Sequence, residues 1–255
     1  MAGACKNRLE TGAYRAHAQT GTGLAIIPIP IGCAPSPRIS AVSGHGGARN
    51  SASRTSDHLT LGQAHSLIEA ALAARTIGRP FNRHITVHWE AAGVPDGEAM
   101  AATTAFLKAL REWTGGQTAY AWARENGDGK GSHLHILAHL PAGRKLSGGR
   151  FRRWLERITG KPYRAGTIHT ARIAGGREPD GPAYSANLQA VLAYVLKGAD
   201  PDAAAALGIR HEPGGRIIGK RCGTSRNIGA KARRRGVLPP LRAPAPARVF
   251  KQERN

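Results

Sequence analysis

The sequence predicts an α+β fold: an antiparallel sheet carrying helices, with basic extensions at both ends. Three observations lead there. Apolar periodicity switches between a repeat of two and a repeat near 3.6 in the order strand, helix, strand, strand, helix, strand, helix. The two strands at the centre of that order are separated only by a short run of turn formers, which calls for a hairpin. The chain on either side is dense in Gly, Pro, Ser and Arg and holds no sustained period.

The elements follow in order. Residues 1–57 read as a disordered basic arm. Leu61 to Thr76 is the first helix. After Gly78-Arg79-Pro80, Phe81 to Trp89 alternates apolar and polar residues as a strand. The next helix takes Asp96 as its cap and puts Ala101, Phe106, Leu107 and Leu110 on its apolar face. Thr118 to Arg124 and the apolar run beginning at His133 form the hairpin, with Asn126 to Ser132 turning the chain. Phe151, Trp154, Leu155 and Ile158 fall at helical spacing and stop at Gly160. Thr167 to Ile173 is the last strand, and Asn187 to Lys197 is a helix through Leu188, Val191, Leu192 and Val195. This is the split βαβ order of ferredoxin-like folds with one helix appended. The predicted domain therefore spans residues 58–200, and 201–255 reads as an extended basic tail.

The 255 residues carry a formal net charge of +21, with Lys and Arg spread over many segments. Such an excess selects a polyanionic partner, nucleic acid first of all. No apolar run is long enough to span a bilayer and no basic amphipathic helix with an aromatic face is present, so no membrane role is expected. Cys5, Cys33 and Cys222 show no disulfide or zinc-finger spacing and fit a reducing cytosol. Leu24 to Ile31, interrupted by Pro28 and Pro30, does not make a signal peptide.

The chemistry concentrates in the hairpin. His133 and His135 are two apart on a strand, so they share a face. A symmetric hairpin puts Glu125 opposite His133. One carboxylate and two imidazoles with open positions suit a divalent metal acting on phosphate. His139 lies a further step along and reads as structural or DNA-facing; His84 and His88 read as strand residues near the nucleic acid. On the last helix, Tyr194 and Lys197 fall about 60° apart, off the apolar stripe. A tyrosine oxygen can attack a phosphodiester, and a nearby ammonium can stabilise the charge that develops.

Together these residues resemble the HUH endonuclease superfamily, in particular the single-tyrosine rolling-circle replication initiators of small plasmids and single-stranded DNA phages. The resemblance covers roughly residues 80–200. His133-Leu134-His135 matches the His-hydrophobic-His motif, Glu125 the upstream third ligand, and Tyr194 to Lys197 the Tyr-x-x-Lys nucleophile motif. The tyrosine follows the histidines, as in initiators and small transposases, whereas relaxases carry it before them. The resemblance implies a site-specific single-stranded DNA endonuclease that nicks an origin. Glu125, His133 and His135 would hold Mg²⁺ or Mn²⁺, and Tyr194 would form a 5′-phosphotyrosine. The partners would be origin DNA, with a host helicase and polymerase. Lys220, Arg221, Lys231, Arg233, Arg234 and Arg235 are then expected to contact DNA phosphates. Transposition or mobilisation is the neighbouring outcome for the same chemistry.

Other readings of the same residues are weaker. Leu137 stands where a histidine-triad hydrolase needs its third histidine. His84-Ile-Thr86 lacks the second copy that a two-histidine phosphoesterase requires. Gly214 to Lys220 looks like a phosphate-binding loop, but Arg221 replaces the magnesium-holding Ser or Thr. A non-catalytic nucleic-acid-binding sheet would stack bases on strand aromatics, for which Trp89, Tyr120 and Trp122 are the candidates in a chain that is only 5% aromatic.

Overall fold

The computed structural model describes residues 54–127, 129, 131–176 and 178–235. Its first elements are a two-residue strand, β1 (Thr55–Ser56), and helix α1 (Leu61–Thr76). Helix α1 opens on a reciprocal cap: the Gln63 amide donates to Thr60 Oγ1, and the Thr60 amide to Gln63 Oε1. Then come β2 (Arg83–His88), α2 (Asp96–Trp113), β3 (Tyr120–Gly127), β4 (Gly131–Ala138), α3 (Gly148–Thr159), β5 (Ile168–Arg172) and α4 (Pro182–Leu196).

The strands order themselves β5-β2-β4-β3, each neighbour antiparallel. Strands β2 and β3 thus run in the same direction with β4 between them, which is the split βαβ topology. Helices α2 and α3 cover one face, over Ile85, Val87, Trp122, Leu134 and Ile136. Helices α1 and α4 lie over the other, which presents Ala121, Ala123 and Leu137. Both faces being covered explains why β4 is buried along nearly its whole length. His133 and His135 on β4 are therefore buried, not displayed on an open sheet.

The structure corrects several boundaries. The tail expected from residue 201 is folded as far as Arg235: it forms α5 (Pro201–Ala206), β6 (Ile217–Ile218), β7 (Cys222–Thr224), a 3₁₀ turn and α6 (Ala230–Arg234). Strand β7 pairs with β3 and extends the sheet, while β6 pairs with β1, so the basic arm expected to reach residue 57 ends in structure. Short elements separated by Gly and Pro carry too little periodicity to be read, yet they bury Ala203, Ile209, Ile217, Cys222 and Ile228. Residues 1–53 and 236–255, the rest of the expected arm and tail, lie outside the described residues.

Helix α2 is capped by Pro95, not Asp96. Asp96 instead takes an ion pair from the fully buried Arg124 at 3.0 Å and accepts the Ile218 amide. Ala101 is exposed, and Ala102 and Ala109 take its place on the buried face. Helix α4 starts five residues before Asn187, with Pro182 in its first turn and Tyr184 extending the buried stripe.

Candidate metal centre

Register decides the site. Glu125 pairs with His133 and Ala123 with His135 across β3 and β4, so the predicted hairpin register is the one observed. All three functional side chains face α4. Glu125 Oε2 lies 3.2 Å from His133 Nε2 and 3.6 Å from His135 Nε2, and each residue is at most 5% exposed. Ligand atoms of the three fall within 4.8 Å of one another, as a single cation requires.

The donor set fits such a cation. His133 Nδ1 sits 2.9 Å from the Gly131 carbonyl, to which it can only donate, so Nε2 is the ring atom turned toward Glu125 and available to a cation. His135 Nδ1 lies 3.2 Å from Thr86 Oγ1 and 3.3 Å from His84 Nε2, and its Nε2 is turned toward Glu125. His135 Nε2 and Glu125 Oε1 are both buried without a hydrogen-bond partner. Polar atoms left this way are costly unless something else meets them. A buried Glu125-His133-His135 group can thus hold a metal ion.

Protonation favours it as well. Burial works against charge on Glu125, but His133, His135 and the Lys197 ammonium outweigh it and hold the carboxyl well below the usual range. Burial lowers His135, only partly offset by Glu125, so this imidazole is neutral. The His84 imidazole is pushed down to about 3 by burial, with the neighbouring His135 adding to the effect and Glu125 opposing it.

Strand β2 supplies a layer that sequence reasoning undervalued. Thr86 is opposite His135 and His88 is opposite His133. His84 and Thr86 orient His135, and the His88 ring stacks on His133 with centroids 5.4 Å apart. Alternation of His84, Thr86 and His88 was the available signal. What the sequence lacked was the pairing that sets β2 beside β4. A cleft of about 270 Å³ opens here, lined by His84, Thr86, His88, His169, Thr170 and Tyr194 among others.

Helix α4 brings Tyr194 and Lys197 to the same place. The Tyr194 ring lies 5.3 Å from the His135 ring and is 39% exposed, and Lys197 Nζ is 5.3 Å from the Tyr194 ring. Lys197 ends the helix, nearly buried, with Nζ 3.3 Å from Glu125 and 2.9 Å from Glu212. Burial disfavours its charge, but the two carboxylates more than compensate and raise its pKa. Glu212 was not foreseen, because it lies in the segment read as tail.

The expected DNA-contacting residues divide. Arg221 is 2% exposed and donates to Ser56, Gly214 and Gly215, so it holds the fold together and is not presented to a ligand. Arg233 is largely spent on Glu69, Ser66 and the Ile228 carbonyl. Lys220, Lys231, Arg234 and Arg235 are exposed. His139 Nδ1 sits 2.9 Å from the Pro80 carbonyl, a structural contact.

Comparison with protein-family models, with curated proteins and with solved structures finds no match to this chain. Among the described residues no helix is long and apolar enough to cross a membrane. The functional reading therefore rests on the geometry above.

Proposed function

We propose that this protein is a metal-dependent, site-specific single-stranded DNA endonuclease and strand-transferase that works through a tyrosine-linked intermediate. One observation carries the proposal: two motifs sixty residues apart in the chain, one able to hold a divalent cation and one bearing a tyrosine and a lysine, converge on Glu125, with Lys197 at 3.3 Å. A bound Mg²⁺ or Mn²⁺ would polarise a non-bridging oxygen of the scissile phosphate.

The chain's own residues do the rest. Tyr194 attacks phosphorus through its Oη, forming an O–P bond as the bond from phosphorus to the 3′ oxygen breaks. The phenol proton is lost and the departing 3′ oxygen takes one up, leaving a 5′-phosphotyrosine and a free 3′-OH. Attack by a 3′-OH reverses the step. Lys197, kept charged by its carboxylates, offsets the negative charge that builds on phosphorus. The free 3′-OH is what a host polymerase extends, which suits initiation of rolling-circle replication of a plasmid or phage.

The burial of Trp89 and Trp122, with Tyr120 partly buried on the same face, supports catalysis over simple base stacking. Trp89 and Trp122 are 0% and 4% exposed in the core beneath α2 and α3, on the side of the sheet away from the histidines. The deciding experiment incubates the protein with Mn²⁺ and single-stranded origin DNA and seeks a denaturation-resistant adduct. Wild type should form it and Tyr194→Phe should not; an adduct on the Phe variant would refute the nucleophile.

A further inference from the structure

The ammonium of Lys197 stands between two carboxylates, and only Glu125 belongs to the metal centre. The oxygen it approaches at 3.3 Å, Glu125 Oε2, is the one that also faces both histidine Nε2 atoms at 3.2 and 3.6 Å. A divalent cation lying between the two Nε2 atoms would meet Glu125 on the oxygen that faces them, Oε2. Two cations sharing it at contact distance in a buried site repel strongly. Lys197 therefore competes with the metal wherever it leans on Glu125.

The chain provides a second anchor. Glu212 Oε2 is the nearer carboxylate, at 2.9 Å, and it lies toward solvent, with 37% of its side chain exposed. Its backbone is fastened to the lysine: the Glu212 amide donates to the Lys197 carbonyl at 2.9 Å. Just beyond, Gly214 packs so closely on Gly198 that an added Cβ there would come within 3.1 Å of its Cα. Arg221 then secures the Gly214 and Gly215 carbonyls. The backbone that carries the second carboxylate is thus held against the lysine by the fold.

We infer that Glu212 is a positioning residue that draws the Lys197 ammonium off Glu125 when a divalent cation enters, so that the metal gains the carboxylate and the lysine stays beside Tyr194. This rests on the reading of Glu125, His133 and His135 as a metal site. Its distinguishing consequence is that Glu212 influences metal affinity only through Lys197.

The test measures Mn²⁺ affinity by calorimetric titration of the full chain in four forms: wild type, Glu212→Gln, Lys197→Met and the double variant. Glu212→Gln should weaken Mn²⁺ about tenfold, the scale on which groups outside the coordination sphere tune a site. Lys197→Met should tighten it. In the Lys197→Met background, Glu212→Gln should have no effect, and Glu212→Asp alone should recover most of the wild-type affinity. Equal weakening in both backgrounds would mean that Glu212 acts on the metal by its own charge, and would overturn the inference. So would an unchanged affinity in Glu212→Gln. Failure of wild type to bind Mn²⁺ would instead overturn the metal centre itself.

Discussion

Glu125 stands directly opposite His133 in the β3–β4 pair, and its Oε2 reaches within 3.2 Å of the His133 Nε2. A one-residue slip would send Glu125 to the opposite face, among the aromatic side chains beneath α2 and α3. The hairpin register is therefore the first requirement of the site. Glu125→Gln keeps the shape and removes the charge, so Mn²⁺ affinity measured by titration should fall at least about tenfold. An unchanged affinity would show that the carboxylate is no ligand.

Much of this was legible in the chain because the relevant signals are local. His133 and His135 share a face by strand periodicity, and Gly-rich turn chemistry between two apolar runs fixes Glu125 opposite them. Tyr194 and Lys197 were legible from helical spacing against the stripe of Leu188, Val191, Leu192 and Val195. Long-range facts were not. That His84 and Thr86 orient His135 depends on β2 pairing with β4 across about fifty residues of sequence. That Glu212 meets Lys197 depends on a segment whose two- and three-residue strands leave no period to detect. Asp96 had the composition of a cap, but the buried Arg124 guanidinium is a stronger claim on its carboxylate than a helix amide.

The histidine layer predicts how the metal-free protein responds to acid. In the unfolded chain His84 titrates at its ordinary value of 6.5, whereas burial in the fold pushes it down to about 3. Between those values the unfolded chain binds more protons than the folded one, so stability falls as pH falls. His135 shifts in the same direction. Chemical unfolding in chelator should give midpoints that decline from about pH 6.5 toward pH 3, and His84→Gln should make the decline shallower. A midpoint that holds level across this window would contradict the buried, neutral His84.

Arg221 has the charge expected of a DNA contact but the surroundings of a structural residue. Its guanidinium satisfies the carbonyls of Ser56, Gly214 and Gly215 and ties β1 to the segment that carries Glu212. Arg221→Ala takes a donor from the Ser56 and Gly215 carbonyls, while the Gly214 carbonyl keeps the Asn126 amide, a loss of roughly 3 kcal/mol at about 1–3 kcal/mol for each buried unsatisfied group. The Tm should drop, while the salt dependence of DNA binding in the folded fraction should stay as in wild type. A changed salt slope with an unchanged Tm would return Arg221 to the binding surface.

Lys231, Arg234 and Arg235 carry the complementary expectation. They are exposed on and just after α6, whereas Arg233 between them is held by Glu69 and Ser66 of α1. An exposed cation that meets a single-strand phosphate releases about 0.7 of a counterion, so it steepens the fall of log K with log salt by that amount. Replacing all three with Ala should flatten the slope for single-stranded DNA by about 2 if each meets a phosphate, with little change in Tm. Arg233→Ala should do the reverse, lowering Tm through the lost clamp between α6 and α1 and leaving the slope nearly intact. Fluorescence anisotropy at several salt concentrations, paired with thermal melts, reads both quantities. A triple variant with the wild-type slope would place the strand's path elsewhere on the molecule, and attention would pass to Lys220, whose Nζ lies 5.7 Å from the Trp122 ring at the β7 edge of the sheet.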